Sequence, residues 1–61
     1  MSEPNPPRTR LSDSQRNDIA TRLQDAFADG QLSVSEFDER SRALYAATYT
    51  DELPALVDDL S

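Results

Sequence analysis

Twelve residues, from Asp25 to Glu36, have side chains of the types and spacing that could bind calcium. An EF-hand loop supplies oxygen ligands at fixed positions and has glycine at position 6. The residues that match positions 1, 5, 6, 9 and 12 are Asp25, Asp29, Gly30, Ser33 and Glu36. Position 3 is Phe27, which offers no oxygen, and residues 25–29 continue the helical pattern that precedes them. We therefore expect these side chains to cap helices, with an EF-hand-like calcium-binding module as an alternative.

A second group of acids, Asp58 and Asp59, could suggest a catalytic carboxylate pair. Adjacent residues on a helix point about 100 degrees apart, so these side chains do not converge on one substrate. The sequence has no histidine and no cysteine, which removes imidazole bases and thiolate metal sites. A chain of 61 residues also leaves no room for an enclosed active site. We expect no catalytic residue, no metal and no cofactor, and a protein that is not an enzyme.

The segment around Gly30 is predicted to end one helix and begin the next. Gly30 is the only glycine, and it can adopt the left-handed conformation that closes a helix C-terminus. Ser33 and Glu36 match a capping box, in which each side chain accepts a hydrogen bond from the other residue's backbone N–H. Leu32 and Phe37 match the hydrophobic staple that accompanies such a cap. This turn predicts two helices packed as an αα-hairpin.

The first helix is predicted to begin at a second capping box, formed by Ser12 and Gln15. Its apolar residues recur at helical intervals and form a single stripe. The second helix is predicted from about Val34 to Ala47. Three pairs of opposite charge lie four residues apart and are interpreted as helix support: Asp18 with Arg22, Glu36 with Arg40, and Asp38 with Arg42.

A short third helix is predicted after a β-prone link at residues 48–50, with Thr50 or Asp51 as its cap. Proline is tolerated only in the first turn of a helix, so Pro54 places the start near residues 51–53. A helix of about nine residues is too short to be stable alone, so it must dock between the first two. The predicted core comprises Ile19, Leu23, Phe27, Leu32, Phe37, Leu44, Leu53, Leu56 and Leu60.

The N-terminal residues 1–10 contain three of the four prolines and little apolar surface, so we expect a disordered tail. The predicted fold is therefore all-α, a small three-helix domain over residues 11–61 in which a short third helix covers an αα-hairpin.

The net charge of −6 lies mainly in the C-terminal half of the chain. A field of this sign repels phosphate backbones and anionic lipid headgroups, so we expect neither nucleic acid nor direct membrane adsorption. A helix-turn-helix DNA-binding module is the alternative, with the second helix for recognition. That helix opens with Glu36, Asp38 and Glu39, which oppose binding to DNA. No apolar run approaches the roughly 20 residues of a membrane span.

Two segments of the chain resemble a known family. Residues 22–40 read Arg-Leu-x-x-Ala-Phe-Ala-x-Gly-x-Leu-Ser-x-x-Glu-Phe-Asp-Glu-Arg, and residues 52–60 read Glu-Leu-Pro-Ala-Leu-Val-Asp-Asp-Leu. Together with the Ser12-Asp13 start, this is similar to the actinobacterial SHOCT-like domain of unknown function 1707, over residues 11–61. The resemblance implies the cytosolic N-terminal domain of a small membrane protein, with a membrane segment missing after Ser61. It brings no catalytic residues.

These observations predict a non-catalytic module for binding a protein partner or a second copy, at the cytoplasmic face of the membrane in cell-envelope or cell-division processes. The candidate partner-binding residues are Tyr45, Tyr49, Arg40 and Arg42. Tyrosine and arginine are enriched where binding energy concentrates. Tyr45 also lies on the apolar face of the second helix, where packing in the core is the simpler interpretation. Tyr49 lies in the link between the second and third helices.

Overall fold

The computed structural model describes residues 8–61, which form an all-α domain as predicted. Helix α1 spans Asp13–Ala28 and helix α2 spans Val34–Ala46. A 3₁₀ turn follows at Thr50–Glu52, and a single helical turn, α3, spans Pro54–Val57. Within residues 8–61 the β-structure is limited to one antiparallel bridge between Arg10 and Tyr49.

Both predicted capping boxes are confirmed. The Ser12 hydroxyl accepts from the Gln15 N–H at 3.1 Å, and the Gln15 side-chain oxygen accepts from the Ser12 N–H at 3.0 Å. Ser33 and Glu36 repeat this arrangement at the start of α2, at 3.1 and 2.8 Å. Each box satisfies backbone N–H groups that have no partner within the helix, and thereby fixes where the helix begins.

The connection between α1 and α2 is confirmed as a tight turn centred on Gly30, whose φ is 83°. The Gly30 N–H donates to the Phe27 carbonyl at 3.1 Å, and the Gln31 N–H donates to the Ala26 carbonyl at 2.8 Å. These two bonds define a Schellman motif. A Cβ built on Gly30 would have no atom within 4 Å, so the requirement for glycine comes from the backbone angle and not from crowding.

The core lies between the two long helices and under α3. Leu23 and Leu44 are fully buried at its centre. The predicted core residues Leu32 and Leu56 are also buried, and four more are half-buried against them: Ile19, Phe37, Leu53 and Leu60. Ala26, Ala47 and Val57 complete the buried set.

The prediction of Phe27 as a core residue is wrong, because 39% of its surface is exposed. Its ring lies at the edge of the hairpin and stacks on Phe37, with ring centroids 4.9 Å apart. The position follows from helix geometry: Phe27 lies next to Ala26 around the helix, and Ala26 faces the core instead.

The third helix is shorter than predicted. Because Pro54 has no N–H, the hydrogen-bond pattern of Thr50–Glu52 cannot continue through it, and α3 begins with Pro54 at its first position. The predicted caps, Thr50 and Asp51, make no capping hydrogen bond. Glu52 stabilises the link instead, since its carboxylate accepts from the N–H groups of Thr48 and Tyr49, both at 2.8 Å.

The prediction of a disordered tail is wrong for its last residues. The Thr50 N–H donates to the Thr9 carbonyl at 2.9 Å, and the Leu11 N–H donates to the Thr48 carbonyl at 2.9 Å. The extended link at residues 48–50 offers a backbone edge, and residues 8–11 pair with it. The paired segment therefore begins before Leu11. The remainder of the predicted tail, residues 1–7, lies outside the described residues.

Candidate interaction surface

Arg16 joins the two long helices at the end opposite the turn. Its guanidinium donates to the Leu44 carbonyl and, at 3.0 Å, to the Ala47 carbonyl. Helix α2 has no basic residue in its own last turn, so α1 supplies the cation that satisfies its C-terminal carbonyls. Sequence reasoning missed this role. The only signal is indirect: an arginine one turn before Ile19, on the apolar side of α1.

Arg40 fixes α3 to α2. Its guanidinium forms a bidentate pair with Asp59, at 2.7 and 2.8 Å, and also donates to the Leu56 carbonyl at 3.1 Å. The hydrogen bonds from Arg40 hold the pKa of Asp59 below its ordinary value. Only 20% of the Arg40 side chain is exposed. The donors of Arg40 are therefore used within the fold, and its predicted role in binding a partner stays a prediction.

The three predicted i, i+4 ion pairs have different outcomes. Asp38 and Arg42 form one, at 3.1 Å, and 81% of the Arg42 side chain remains exposed. Glu36 does not pair with Arg40, because its carboxylate accepts the Ser33 N–H. That hydrogen bond lowers the pKa of Glu36. Among the ion pairs within residues 8–61, none joins the third predicted pair, Asp18 and Arg22.

Tyr49 lies under the N-terminal segment. The Arg8 guanidinium sits over its ring, 4.0 Å from the centroid, and forms a bidentate pair with Asp51 at 2.7 and 2.8 Å. The hydrogen bonds from Arg8 lower the pKa of Asp51. Tyr49 is half-buried, and Arg8 covers one face of its ring, so that face already has a partner within the fold. Its predicted role in binding a protein partner stays a prediction. The structure thus assigns Tyr49 first to holding residues 8–11 in place.

Tyr45, by contrast, is exposed over 64% of its surface, so the interpretation of Tyr45 as a core residue is wrong. Leu44 takes the buried position next to it. Val34, which was not among the predicted site residues, is 70% exposed. Successive intervals of four, three and four residues connect Val34, Asp38, Ser41 and Tyr45, so these side chains form one stripe along α2.

The α3 segment covers only one side of the hairpin. The chain's last residues lie along Arg22, Ala26 and Asp29 of α1, where they border an open groove, and the Ser61 N–H donates to Gln31 at 2.8 Å. On α2, Arg40 donates to the Leu56 carbonyl of α3 at 3.1 Å. The opposite side of each helix carries a different stripe. On α1 this stripe is Ala20, Gln24 and Phe27, at intervals of four and three.

The two uncovered stripes meet at the stacked rings of Phe27 and Phe37. We call this surface the open face; it comprises Ala20, Gln24, Phe27, Val34, Phe37, Ser41 and Tyr45. Apart from Asp38, which also lies in the α2 stripe, the two stripes carry no charged residue, although 30% of the residues in the chain are charged. All three large apolar side chains that are exposed within residues 8–61 belong to it: Phe27, Val34 and Tyr45.

The side chains that could have formed an EF-hand loop instead end α1 and begin α2, as predicted. Residues 25–28 remain in α1, and Asp29 accepts from the Gln31 side chain at 3.1 Å. Ser33 and Glu36 direct their oxygens to backbone N–H groups. Within residues 8–61, no three acidic side chains are grouped in a way that could hold a metal ion.

Asp38 and Glu39, the acidic residues near the start of α2 that oppose binding to DNA, are exposed. The expectation that the domain does not bind nucleic acid stays a prediction. In the described part of the chain, no helix is both long enough and apolar enough to cross a membrane.

The fold and surface together define a small helical domain with one covered and one uncovered side. The chain belongs to the DUF1707 SHOCT-like domain family, whose pattern matches residues 9–61. It is 44% identical over 52 residues to uncharacterized proteins from two strains of Mycobacterium tuberculosis. The match covers 85% of this chain but only 18% of each relative, so the chain spans less than a fifth of their length. No solved structure matches the chain.

Proposed function

We propose that this domain is a non-catalytic protein-interaction module and that the open face is its binding surface. The observation that carries the proposal is the placement of Phe27, Val34 and Tyr45 on the one side of the hairpin that α3 leaves uncovered. Exposed apolar residues are ordinary when scattered, but a contiguous group with aromatic members is typical of a protein-binding site.

The rigidity of the hairpin supports this role. Arg16 joins the helices at one end, and the Gly30 turn joins them at the other. Arg40 fixes α3 on the covered side. A surface held in this way loses little conformational entropy on binding, which favours affinity. The stack of Phe27 on Phe37 offers a partner an ordered aromatic pair at the end of the surface next to the turn.

The location that we propose is the cytoplasmic side of an actinobacterial cell membrane, where the domain serves a longer protein as an adaptor or receptor in cell-envelope or cell-division processes. The length of the relatives supports this, because the shared domain is a small part of each. The SHOCT-like resemblance supports the membrane link. On this proposal the membrane is reached through a segment of the longer protein, and the surface binds a protein partner or a second copy.

A photo-crosslinking experiment tests the proposal. A photoreactive phenylalanine analogue replaces Tyr45 in the full-length protein in its native cells, and a matched protein carries it at Ala43, which is exposed on the opposite side of α2. We expect a discrete protein adduct from position 45 and none from position 43. The mass of the adduct distinguishes a different partner from a second copy. Equal adduct patterns at the two positions, or none at either, would rule out the open face as the binding surface.

A further inference from the structure

We infer that the open face binds an amphipathic helix whose apolar stripe is flanked by Lys or Arg. This inference rests on the proposed function and names the chemistry of the partner. It follows from the exposed apolar residues of the open face, from its length and from the charges around it.

The covered side of the hairpin shows how a helical segment is held. There, Leu56 and Val57 of α3 contact the core, while Asp59 at the edge of the segment pairs with Arg40. An apolar stripe thus lies between α1 and α2, and a charged residue at its margin fixes its position. The open face is the other side of the same hairpin, and the stacked rings of Phe27 and Phe37 lie at its end next to the Gly30 turn. An amphipathic helix is the regular element that packs between two helices in this way, through anchors at i, i+3, i+4 and i+7.

The length of the open face sets the length of the partner. Val34 and Tyr45 lie eleven residues apart on α2, which corresponds to about 16 Å at roughly 1.5 Å per residue. A bound helix of about three to four turns would reach from one to the other. It would need apolar residues on one face only, because its other face would remain in contact with solvent.

Charge decides which helix fits. The chain has twelve acidic residues and six arginines. Three of the arginines are paired with Asp51, Asp59 and Asp38, and a fourth, Arg16, donates to backbone carbonyls. The rest of the acidic surface is therefore left largely uncompensated. Lys or Arg at the margins of a bound helix would meet this field favourably, and acidic margins would be repelled.

The acidic residues at the edge of the open face are negative, like the net charge of the chain. Asp13 lies seven residues before Ala20, in line with the α1 stripe, and Asp38 lies within the α2 stripe. Arg42 lies beside that stripe, and it is bound to Asp38. A second copy of the chain would bring the same net charge of −6 to the contact, so electrostatics favour a cationic partner over self-association.

Two synthetic peptides of 14 residues test the inference. Both carry the same leucine stripe at helical spacing; one has lysine at every flanking position and the other has glutamate. Amide chemical-shift mapping locates each peptide, and calorimetry at low and high salt gives its affinity. We expect the Leu/Lys peptide to shift the amides of Phe27, Ser41 and Tyr45 and to bind at least tenfold more tightly than the Leu/Glu peptide. The difference should shrink as salt rises.

Three variants separate this site from general attraction to an acidic protein. Tyr45→Asp and Ala43→Asp each add one negative charge to α2, but only the first alters the open face. We expect Tyr45→Asp to weaken the Leu/Lys peptide at least tenfold and Ala43→Asp to leave its affinity unchanged or slightly higher. Val34→Asp should also weaken binding, and it lies in the first turn of α2, where an acidic residue is compatible with the helix.

Several results would overturn the inference. These are equal affinity for both peptides, shifts confined to the side covered by α3, and the same affinity in the Tyr45→Asp and Ala43→Asp proteins. A stable dimer of the wild-type protein that Tyr45→Asp abolishes would also overturn it, because a second copy would then occupy the face. If crosslinking from position 45 succeeds and the Leu/Lys peptide fails, the proposed function stands and this inference is wrong.

Discussion

The guanidinium of Arg16 in α1 donates to the backbone carbonyl of Ala47, immediately after α2, at 3.0 Å. A helix usually satisfies its last carbonyls with its own side chains, with water or with a C-terminal glycine. Here a neighbouring helix supplies the donor, so the end of α2 and its packing on α1 depend on the same contact. Arg16 is half-buried. If its side chain were removed, water could not easily replace the hydrogen bonds to the carbonyl groups at the end of α2.

Replacing Arg16 by Gln should destabilise the domain. A hydrogen bond to a charged group contributes about 1.5–3 kcal/mol, so we expect the free energy of unfolding in urea to fall by about 2 kcal/mol. Arg22→Gln is the matched control, since Arg22 is an exposed arginine of the same helix. Similar losses in the two variants would show that the contact with Ala47 has no special role.

Replacing Gly30 by Ala should destabilise the turn through the backbone alone. A side chain in the left-handed region costs about 1–2 kcal/mol, and there is no crowding at this position to add to it. Gly30→Asn should cost less, because asparagine tolerates this conformation better. Thermal melts of the three proteins give the order directly, and an alanine variant as stable as the wild type would contradict the assigned conformation.

Replacing Leu23 by Ala should lower the free energy of unfolding much more than replacing Phe27 by Ala. Leu23 is fully buried, and truncating a buried leucine costs about 2–5 kcal/mol. Phe27 is exposed over 39% of its surface and contacts Phe37 at the edge of the hairpin, so its loss should cost clearly less. Urea denaturation of both variants measures this. Equal losses of unfolding free energy in the two variants would show that Phe27 contributes to the core as much as Leu23 does.

The domain should lose stability in acid. Hydrogen bonds from Arg40 and Arg8 lower the pKa values of Asp59 and Asp51, and backbone N–H groups lower those of Glu36 and Glu52. A carboxyl group whose pKa is lower in the folded state stabilises the fold above its unfolded pKa, and this stabilisation is lost as pH falls through the folded pKa.

We therefore expect a melting temperature that is nearly constant from neutral pH to about pH 5 and that decreases below about pH 4, where unfolded carboxyl groups titrate. Circular dichroism at a series of pH values follows the change. A double variant, Glu36→Gln with Asp59→Asn, should be less stable at neutral pH and decline less steeply in acid. An equally steep decline would assign the acid sensitivity to other groups.

Replacing Tyr49 by Ala should release the N-terminal segment. Without the ring, Arg8 loses the surface on which it stacks, and the pairing of residues 8–11 with the link becomes weaker. Hydrogen exchange at the amides of Leu11 and Thr50 should accelerate, while that at Leu23 should not change. Tyr49→Phe retains an aromatic face and should behave as the wild type does. No change in exchange at Leu11 would contradict this role for Tyr49.

Local signals made most of the fold predictable. Two capping boxes and a lone glycine determine where α1 and α2 begin and where they turn, and these depend on residues three or four apart. Helical periodicity then placed Leu23 and Leu44 in the core. The error at Phe27 arises because Phe27 and Ala26 are neighbours at the border of the apolar stripe, and periodicity alone does not choose between them.

The contacts of the arginines were not predictable from the sequence. Arg16, Arg40 and Arg8 bind groups that lie 28 to 31, 16 to 19, and 43 residues away. Long side chains find such partners only after the helices have packed. The open face was missed for the same reason. Its limits depend on which side of the hairpin α3 covers, and the spacing of α3's apolar residues does not reveal that side.

The bridge between Arg10 and Tyr49 and the bond between Ser61 and Gln31 lie at opposite ends of α1. With 16 residues, that helix is about 24 Å long at roughly 1.5 Å per residue. The two ends of residues 8–61 therefore lie at opposite ends of α1. Any sequences joined to them would be separated by the length of α1. A helix bound to the open face would lie parallel to α1 and would leave both attachment points accessible.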